Sequence, residues 1–125
     1  MVWTLWIGLG SLLAGLGVGL GAFGAHYLKS RVAADYLAVF ETATRYHLIH
    51  ALGLILVGLI ATRIDNGAIK IAGLCLFLGM LLFSGSLYAL VLTGNRALGA
   101  ITPLGGLLLI AGWVVLGISM LRIGA

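Results

Sequence analysis

Four long apolar runs occupy most of this sequence and constrain its fold more than any other feature. They cover about residues 3–27, 46–63, 69–92 and 102–122. A helix rises 1.5 Å per residue, so about 20 residues cross a hydrocarbon core of roughly 30 Å. Main-chain polar groups in lipid must be hydrogen-bonded internally, and these runs lack the alternation of a barrel strand. The sequence therefore predicts an all-α, polytopic membrane protein with four transmembrane helices in an antiparallel bundle.

Composition excludes the other classes of protein. Only 8% of the 125 residues are charged, 62% are hydrophobic, and the mean hydropathy is +1.24. A soluble domain carries roughly 25% charged residues, and disordered chains are poor in apolar ones. Four helices use nearly the whole chain, so we predict a single four-helix domain over residues 1–125. Cys75 is the only cysteine, which excludes an intrachain disulfide, a thiolate zinc site and a CxxC motif.

The charges indicate membrane partners. The chain has seven Lys and Arg residues and three acidic residues, which gives a net charge of +4, and the basic residues form no continuous run. Nucleic-acid binding is therefore not expected, and the basic residues resemble interfacial anchors. The predicted partners are the lipid bilayer and, in the membrane, a second copy of the chain or other membrane proteins. No cofactor is predicted.

An amphipathic segment over about residues 31–45 leads into the second span. Its apolar residues recur at steps of three and four, and they are Val32, Tyr36, Val39, Phe40 and Ala43. No Gly or Pro occurs between Arg31 and Leu52, so the helix is expected to continue into the lipid. Ser30 is the predicted N-cap. At the fourth span, Thr102 is the predicted N-cap and Pro103 the first helical residue.

The first span is long for a cleaved signal peptide. Ala22 and Gly24 satisfy the small-residue rule for cleavage before Ala25. A signal core has about 7–15 apolar residues after a basic start, whereas this run is longer and no basic residue precedes it. We therefore interpret the segment as a retained span.

Small residues follow two stripes on the first span. Gly17, Gly21 and Ala25 fall at four-residue steps, as do Ser11, Gly15 and Gly19. Such stripes let helix backbones approach closely. We favour packing within the bundle over a dimerisation face, although one stripe can serve each purpose. Further predicted packing positions are Gly85, Gly105 and Gly106.

Antiparallel spans place most polar residues in one leaflet. The candidate polar cluster is His26, Glu41, Arg45, Tyr46, His50, Ser84, Ser86, Tyr88 and Thr102. If the chain has a functional site, it is expected in that half of the membrane.

The residue types in this cluster are compatible with several chemistries. His47 and His50 are three residues apart and, with His26, offer a weak three-nitrogen metal site to which Glu41 can add a ligand. A pattern of two histidines three apart is unspecific, so no metal is predicted. Glu41 and Arg45 are spaced for an ion pair along their helix. A serine nucleophile at Ser84 or Ser86 needs a base, and no acid is available to orient His50, so no catalytic residue is predicted.

Four motifs in order carry a family resemblance. "LGAFGAH", "YHLIHALGL", "LFSGSLY" and "ITPLGGLLLIAGW" resemble domain-of-unknown-function family 423, the YgdD/YwdK-like membrane proteins of bacteria, and look similar to transmembrane protein 256. The resemblance implies a plasma-membrane protein with no established activity, substrate or cofactor. The matching positions are His26, Tyr46, His50, Ser84, Gly85, Ser86, Tyr88, Pro103, Gly105, Gly106 and Trp113. His47 is outside this set.

Three functions follow as hypotheses. The first is a non-enzymatic structural or interaction component of the membrane. The alternatives are a small transporter or channel subunit that uses the polar cluster, and a membrane metal-binding protein or enzyme. Basic residues divide four to three between the two membrane edges, which does not decide orientation. The resemblance to proteins with basic C-terminal tails suggests a multi-pass plasma (inner) membrane protein with both termini cytoplasmic.

Overall fold

Four long helices joined by short connections make up the computed structural model, which describes residues 2–125. The helices are α1 (Val2–His26), α2 (Ala34–Ala61), α3 (Gly67–Thr93) and α4 (Thr102–Gly124). Short 3-10 turns, Leu28–Ser30 and Arg96–Ala100, lie in the first and third connections. The predicted all-α class is confirmed, because the described chain contains no strand and all four helices are long and apolar enough to cross a membrane.

The helices pack in chain order around a central pair. α1 packs against α2, α2 against α3, and α3 against α4. In the apolar stretch of α2 50% of the residues are buried, whereas in α1 the share is 17%, so α1 lies at the outside. Short connections make successive helices antiparallel. We call the edge that holds the α2–α3 connection and the end of α4 the terminal edge, and the other the opposite edge.

Two apolar clusters hold the bundle together. The larger lies between the second half of α2, the first half of α3 and the outer helices, and includes Trp6, Leu54, Leu76 and Leu109. The smaller lies near the opposite edge and is built on Leu28, Phe40 and Val91. The polar residues of the candidate site lie in the layer between these clusters and around the smaller one.

Helix α2 joins the amphipathic segment and the second span in one helix of 28 residues. The prediction that Ser30 caps it is wrong. Ser30 lies in the preceding 3-10 turn, and Ala33 occupies the N-cap position without a side-chain hydrogen bond. Ser30 is four residues ahead of the first helical residue, too far along the chain to act as an N-cap. Asp35 in the first turn instead adds a favourable negative charge near the helix N-terminus.

The connection between α3 and α4 depends on one glycine. Gly94, which ends α3, has a φ of +72° in the left-handed region, where residues with a Cβ are strained. The Asn95 side chain then accepts a hydrogen bond from the Ala97 amide at 3.1 Å. This arrangement turns the chain into the 3-10 segment that leads to α4.

Glycines at steps of seven pack α1 onto α2. A Cβ added to Gly10 would lie 2.7 Å from the carbonyl oxygen of Ala51, and one at Gly24 would lie 2.8 Å from the Phe40 ring. Gly17 meets Leu48 and His47 in the same way. Residues seven apart differ by only about 20° around a helix, so the three form one face. The contact face is therefore neither of the two predicted four-residue stripes. It shares Gly17 with one stripe and no residue with the other.

Candidate functional site

The predicted polar residues divide into two groups in the structure. His50, Ser84 and Ser86 are buried between helices, and Tyr88 and Thr102 are half-buried beside them. The others, His26, Glu41, Arg45 and Tyr46, are exposed on the surface of the bundle. The structure thus brings together only part of the predicted cluster, and it adds His47, which is also buried.

His47 lies where α1, α2 and α3 meet. Its Nε2 is 2.7 Å from the carbonyl oxygen of Leu13, and its Nδ1 is 2.9 Å from Oη of Tyr88. A carbonyl oxygen only accepts, so we assign the proton to Nε2, and Nδ1 then accepts the hydrogen bond that the Tyr88 hydroxyl donates. One side chain of α2 thereby links the backbone of α1 to a tyrosine of α3.

His50 lies on the other side of α2 and faces α4. Its Nδ1 is 2.6 Å from the carbonyl oxygen of Tyr46, one turn earlier, and the indole Nε1 of Trp113 is 3.1 Å from its Nε2. An indole N–H only donates, so Nε2 accepts and the proton is assigned to Nδ1. The lone pair that a metal would need is already used.

The serine and threonine hydroxyls complete the contacts of α3. Ser84, which is 2% exposed, donates to the carbonyl oxygen of Ala43 on α2 at 2.8 Å. Ser86 donates to the carbonyl oxygen of Phe83 at 2.9 Å, and its Oγ lies 2.6 Å from Oγ1 of Thr102. Because Ser86 has a single proton, the Thr102 hydroxyl donates this second bond. Neither serine hydroxyl is bonded to His50.

Thr102 does not cap α4 as predicted. The helix begins at Thr102 itself, Ile101 occupies the N-cap position without a side-chain hydrogen bond, and Pro103 lies in the first turn. The threonine side chain instead points to Ser86 of α3. Its hydroxyl therefore joins two helices rather than satisfying the amides of its own.

The exposed residues at the opposite edge form no site with the histidines. No ion pair joins Glu41 to Arg45 in the described chain, where the charged pair at this edge is Arg96 with Asp35 at 3.7 Å. His26 ends α1 in an exposed position. Among residues 2–125, no three His, Cys, Asp or Glu side chains lie close enough together to hold a metal ion.

A lateral groove of about 540 Å³ lies beside His50 between α2 and α4. Tyr46, Phe83 and Trp113 line it with aromatic rings, and Arg45 also contributes to its wall. Tyr46 packs on Phe83 with the ring centroids 4.5 Å apart. Since both nitrogens of His50 are bonded, this groove offers aromatic surface rather than a free base.

The predicted packing glycines have different surroundings. Gly105 and Gly106 pack on Phe83, and Gly17 packs on α2. At Gly15, Gly19, Gly21 and Gly85 an added Cβ would meet no atom within 4 Å, and Ala25 is exposed. Sequence reasoning missed several close contacts, namely those of Gly10, Gly24, Gly53, Gly58, Gly73, Gly79 and Gly112.

Comparisons with known proteins agree with this architecture. The sequence profile of the family described as "Protein of unknown function (DUF423)" matches residues 20–106. A UPF0382 membrane protein of Staphylococcus haemolyticus is 51% identical over 94% of this chain and 96% of its own length. The UPF0382 membrane protein YwdK of Bacillus subtilis is 45% identical over 91% of this chain and 94% of its own. No solved structure matches.

Proposed function

This chain belongs to the DUF423 family and is an integral membrane protein, and from that premise we propose that it is a non-enzymatic structural component of the membrane that associates with a second copy of itself. In this proposal it is a multi-pass protein of the plasma (inner) membrane with both termini cytoplasmic. An even number of spans supports termini on one side of the membrane, and relatives that are named membrane proteins support the membrane location.

The observation that carries the structural role is the use of polar groups inside the bundle. Both nitrogens of His47 and both of His50 already have partners, and the Ser84 hydroxyl donates to the α2 backbone. A catalytic or transport site needs donors or acceptors that a substrate can reach. Here the same groups hold α1, α3 and α4 against α2, which favours a structural role over the transport and enzyme alternatives.

The outer face of α1 supports self-association. Ser11, Gly15 and Gly19 are exposed, and an added Cβ at either glycine would contact nothing. A glycine within a helix costs about 1 kcal/mol relative to alanine, and no contact inside this bundle offsets that cost. The stripe carries no charge, so two copies can place it against each other around a two-fold axis.

Energy transfer between donor-labelled and acceptor-labelled copies in liposomes tests the association. Gly15→Leu and Gly19→Leu each place a bulky side chain on the stripe, and we expect the dissociation constant to rise about tenfold or more. Gly117→Leu is the matched control, because Gly117 is an equally uncrowded glycine of α4. Equal energy transfer in all variants, or a strictly monomeric wild-type chain, contradicts the proposal.

Flux measurements test the proposal that the chain has a structural role and does not transport ions. Proteoliposomes that contain the purified chain are expected to leak protons and potassium no faster than vesicles without protein. A flux that disappears in His50→Ala, while folded protein is still recovered, would replace the structural role with a transport one.

A further inference from the structure

A second groove, of about 400 Å³, lies at the terminal edge, between the start of α3 and the end of α4. Its polar lining consists of Asn66, Ser119 and Arg122. The rest of the wall is apolar, namely Ala68, Val115, Ile118 and Ile123. The groove therefore combines a polar part at the membrane edge with a hydrocarbon-like wall.

Ser119 is a largely buried residue whose hydroxyl opens onto the groove and has no partner in the described chain. Its side chain lines the groove, the residue is only 7% exposed, and its hydroxyl makes no hydrogen bond within residues 2–125. Several other helical hydroxyls bond to a carbonyl oxygen three or four residues earlier, as Ser11 and Thr44 do. A hydroxyl that lacks even this bond and opens onto a mostly apolar groove gains a hydrogen bond when an acceptor enters the groove.

Arg122 supplies positive charge to the same groove. Lys70 and Arg96 each have an acidic partner, at 3.4 and 3.7 Å. No carboxylate lies within 4 Å of Arg122 in the described chain. Arginine is suited to phosphate because its planar guanidinium donates several hydrogen bonds in one direction.

The start of α3 adds main-chain donors. Asn66 caps the helix by accepting from the Ile69 amide at 3.0 Å, and its carbonyl oxygen accepts from Lys70. The amides of Gly67 and Ala68, the first two of the helix, have no bond within the described residues. The amino end of a long helix carries partial positive charge and favours an anion.

We propose that this groove binds the phosphate of an anionic phospholipid, with Arg122, Ser119 and the first amides of α3 around the headgroup. Val115 and Ile118 precede Arg122 by about two turns and one turn of α4, so they line the groove on the membrane side of the guanidinium. This apolar wall favours a lipid over a free anion. The groove lies at the terminal edge, whereas the histidine contacts lie towards the opposite edge. The proposed lipid site therefore does not depend on the histidines.

Native mass spectrometry of the detergent-solubilised full chain tests the assignment, with phosphatidylglycerol as the probe and phosphatidylcholine and inorganic phosphate as references. Phosphatidylglycerol is expected to bind most tightly. Arg122→Gln should weaken it about tenfold and Ser119→Ala about fivefold. Arg63→Gln, which removes an exposed cation at the same edge but outside the groove, should leave binding unchanged.

Three outcomes would overturn the proposal. The first is unchanged phosphatidylglycerol binding in both groove variants while circular dichroism shows the same helix content as in the wild type. The second is an equal loss in Arg63→Gln, which would indicate general attraction to the edge. The third is displacement of phosphatidylglycerol by equimolar inorganic phosphate, which would assign the groove to a free anion. Since Ser119 makes no bond in the fold, Ser119→Ala is expected to remain folded.

Discussion

Single side chains join the helices of this protein through bonds to the backbone as well as to other side chains. His47 bonds to the carbonyl oxygen of Leu13 and Ser84 to that of Ala43. The hydrophobic effect does not hold helices together inside a bilayer, so close packing and interhelical hydrogen bonds contribute more of the association energy. A carbonyl oxygen that already accepts in its helix can accept a second bond, which lets a polar side chain bond to a neighbouring helix without opening it.

Tyr88 supplies the first prediction, at the scale of one hydroxyl. Tyr88→Phe keeps the ring that packs on Phe40 but leaves Nδ1 of His47 without its donor. We expect the free energy of unfolding to fall by about 1–2 kcal/mol, because a buried acceptor loses its bond. Unfolding in mixed micelles, followed by circular dichroism, measures the change. Tyr27→Phe is the control, since Tyr27 is exposed and stacks on Phe23; equal losses would show that the Tyr88 bond contributes nothing.

The histidines show what could and could not be predicted from sequence at this scale. Their spacing of three indicates neighbouring positions on α2, which is correct, but they differ by about 60° around the helix axis. That angle directs His47 towards α1 and α3 and His50 towards α4. The partners of His47 include a main-chain oxygen of Leu13, which every residue possesses, so no residue type in the sequence identifies it. The exclusion of His47 from the family positions thus hid a side chain of α2 that bonds to both α1 and α3.

At the scale of elements, the helices were predictable and their rotations were not. Apolar runs predict spanning helices because an unpaired backbone cannot remain in hydrocarbon. In α1, however, apolar residues cover every side, so the pattern does not distinguish the face of Gly17 from that of Gly15. The structure buries Gly17 against α2 and leaves Gly15 exposed. The difference depends on how α1 is rotated against α2, which is a property of the pair rather than of either sequence.

The adjacent glycines at the start of α4 give a matched test of this close packing. A Cβ on Gly105 would lie 2.8 Å from the carbonyl oxygen of Gly79 and against the backbone of Phe83. Backbone atoms cannot move aside as a side chain can, so Gly105→Ala is expected to cost about 1–3 kcal/mol of stability. A Cβ on Gly106 would make an ordinary contact with the Phe83 ring at 3.7 Å. Gly106→Ala should therefore be neutral or stabilising by up to about 1 kcal/mol.

Thermal unfolding of the two variants in one detergent provides the comparison. The α3–α4 packing described above requires Gly105→Ala to be the less stable of the two. If Gly106→Ala were equally destabilised, the cost would come from the first turn of α4 in general and not from its approach to α3.

At the scale of the whole molecule, the two membrane edges carry equal charge but different chemistry. The opposite edge has four basic and two acidic residues and the terminal edge three basic and one acidic, so each has a net charge of +2. The histidine contacts lie in the half towards the opposite edge, and the groove with Ser119 and Arg122 lies at the terminal edge. The interhelical hydrogen bonds and the proposed lipid contact therefore lie in different halves of the bilayer. Because the two edges have equal net charge, charge alone does not determine the orientation of the chain.

Cysteine labelling in intact cells tests the topology and the proposed orientation together. In a Cys75→Ser background, single cysteines are introduced at Ser30 and Asn95, at the opposite edge, and at Asp65 and Ala125, at the terminal edge; all four positions are exposed. With four antiparallel spans the members of each pair must react alike. Cytoplasmic termini require a membrane-impermeant maleimide to label the Ser30 and Asn95 positions in intact cells and the other two only after permeabilisation. The reverse pattern would invert the orientation and keep the fold, whereas different reactivity within a pair would contradict the four-span arrangement itself.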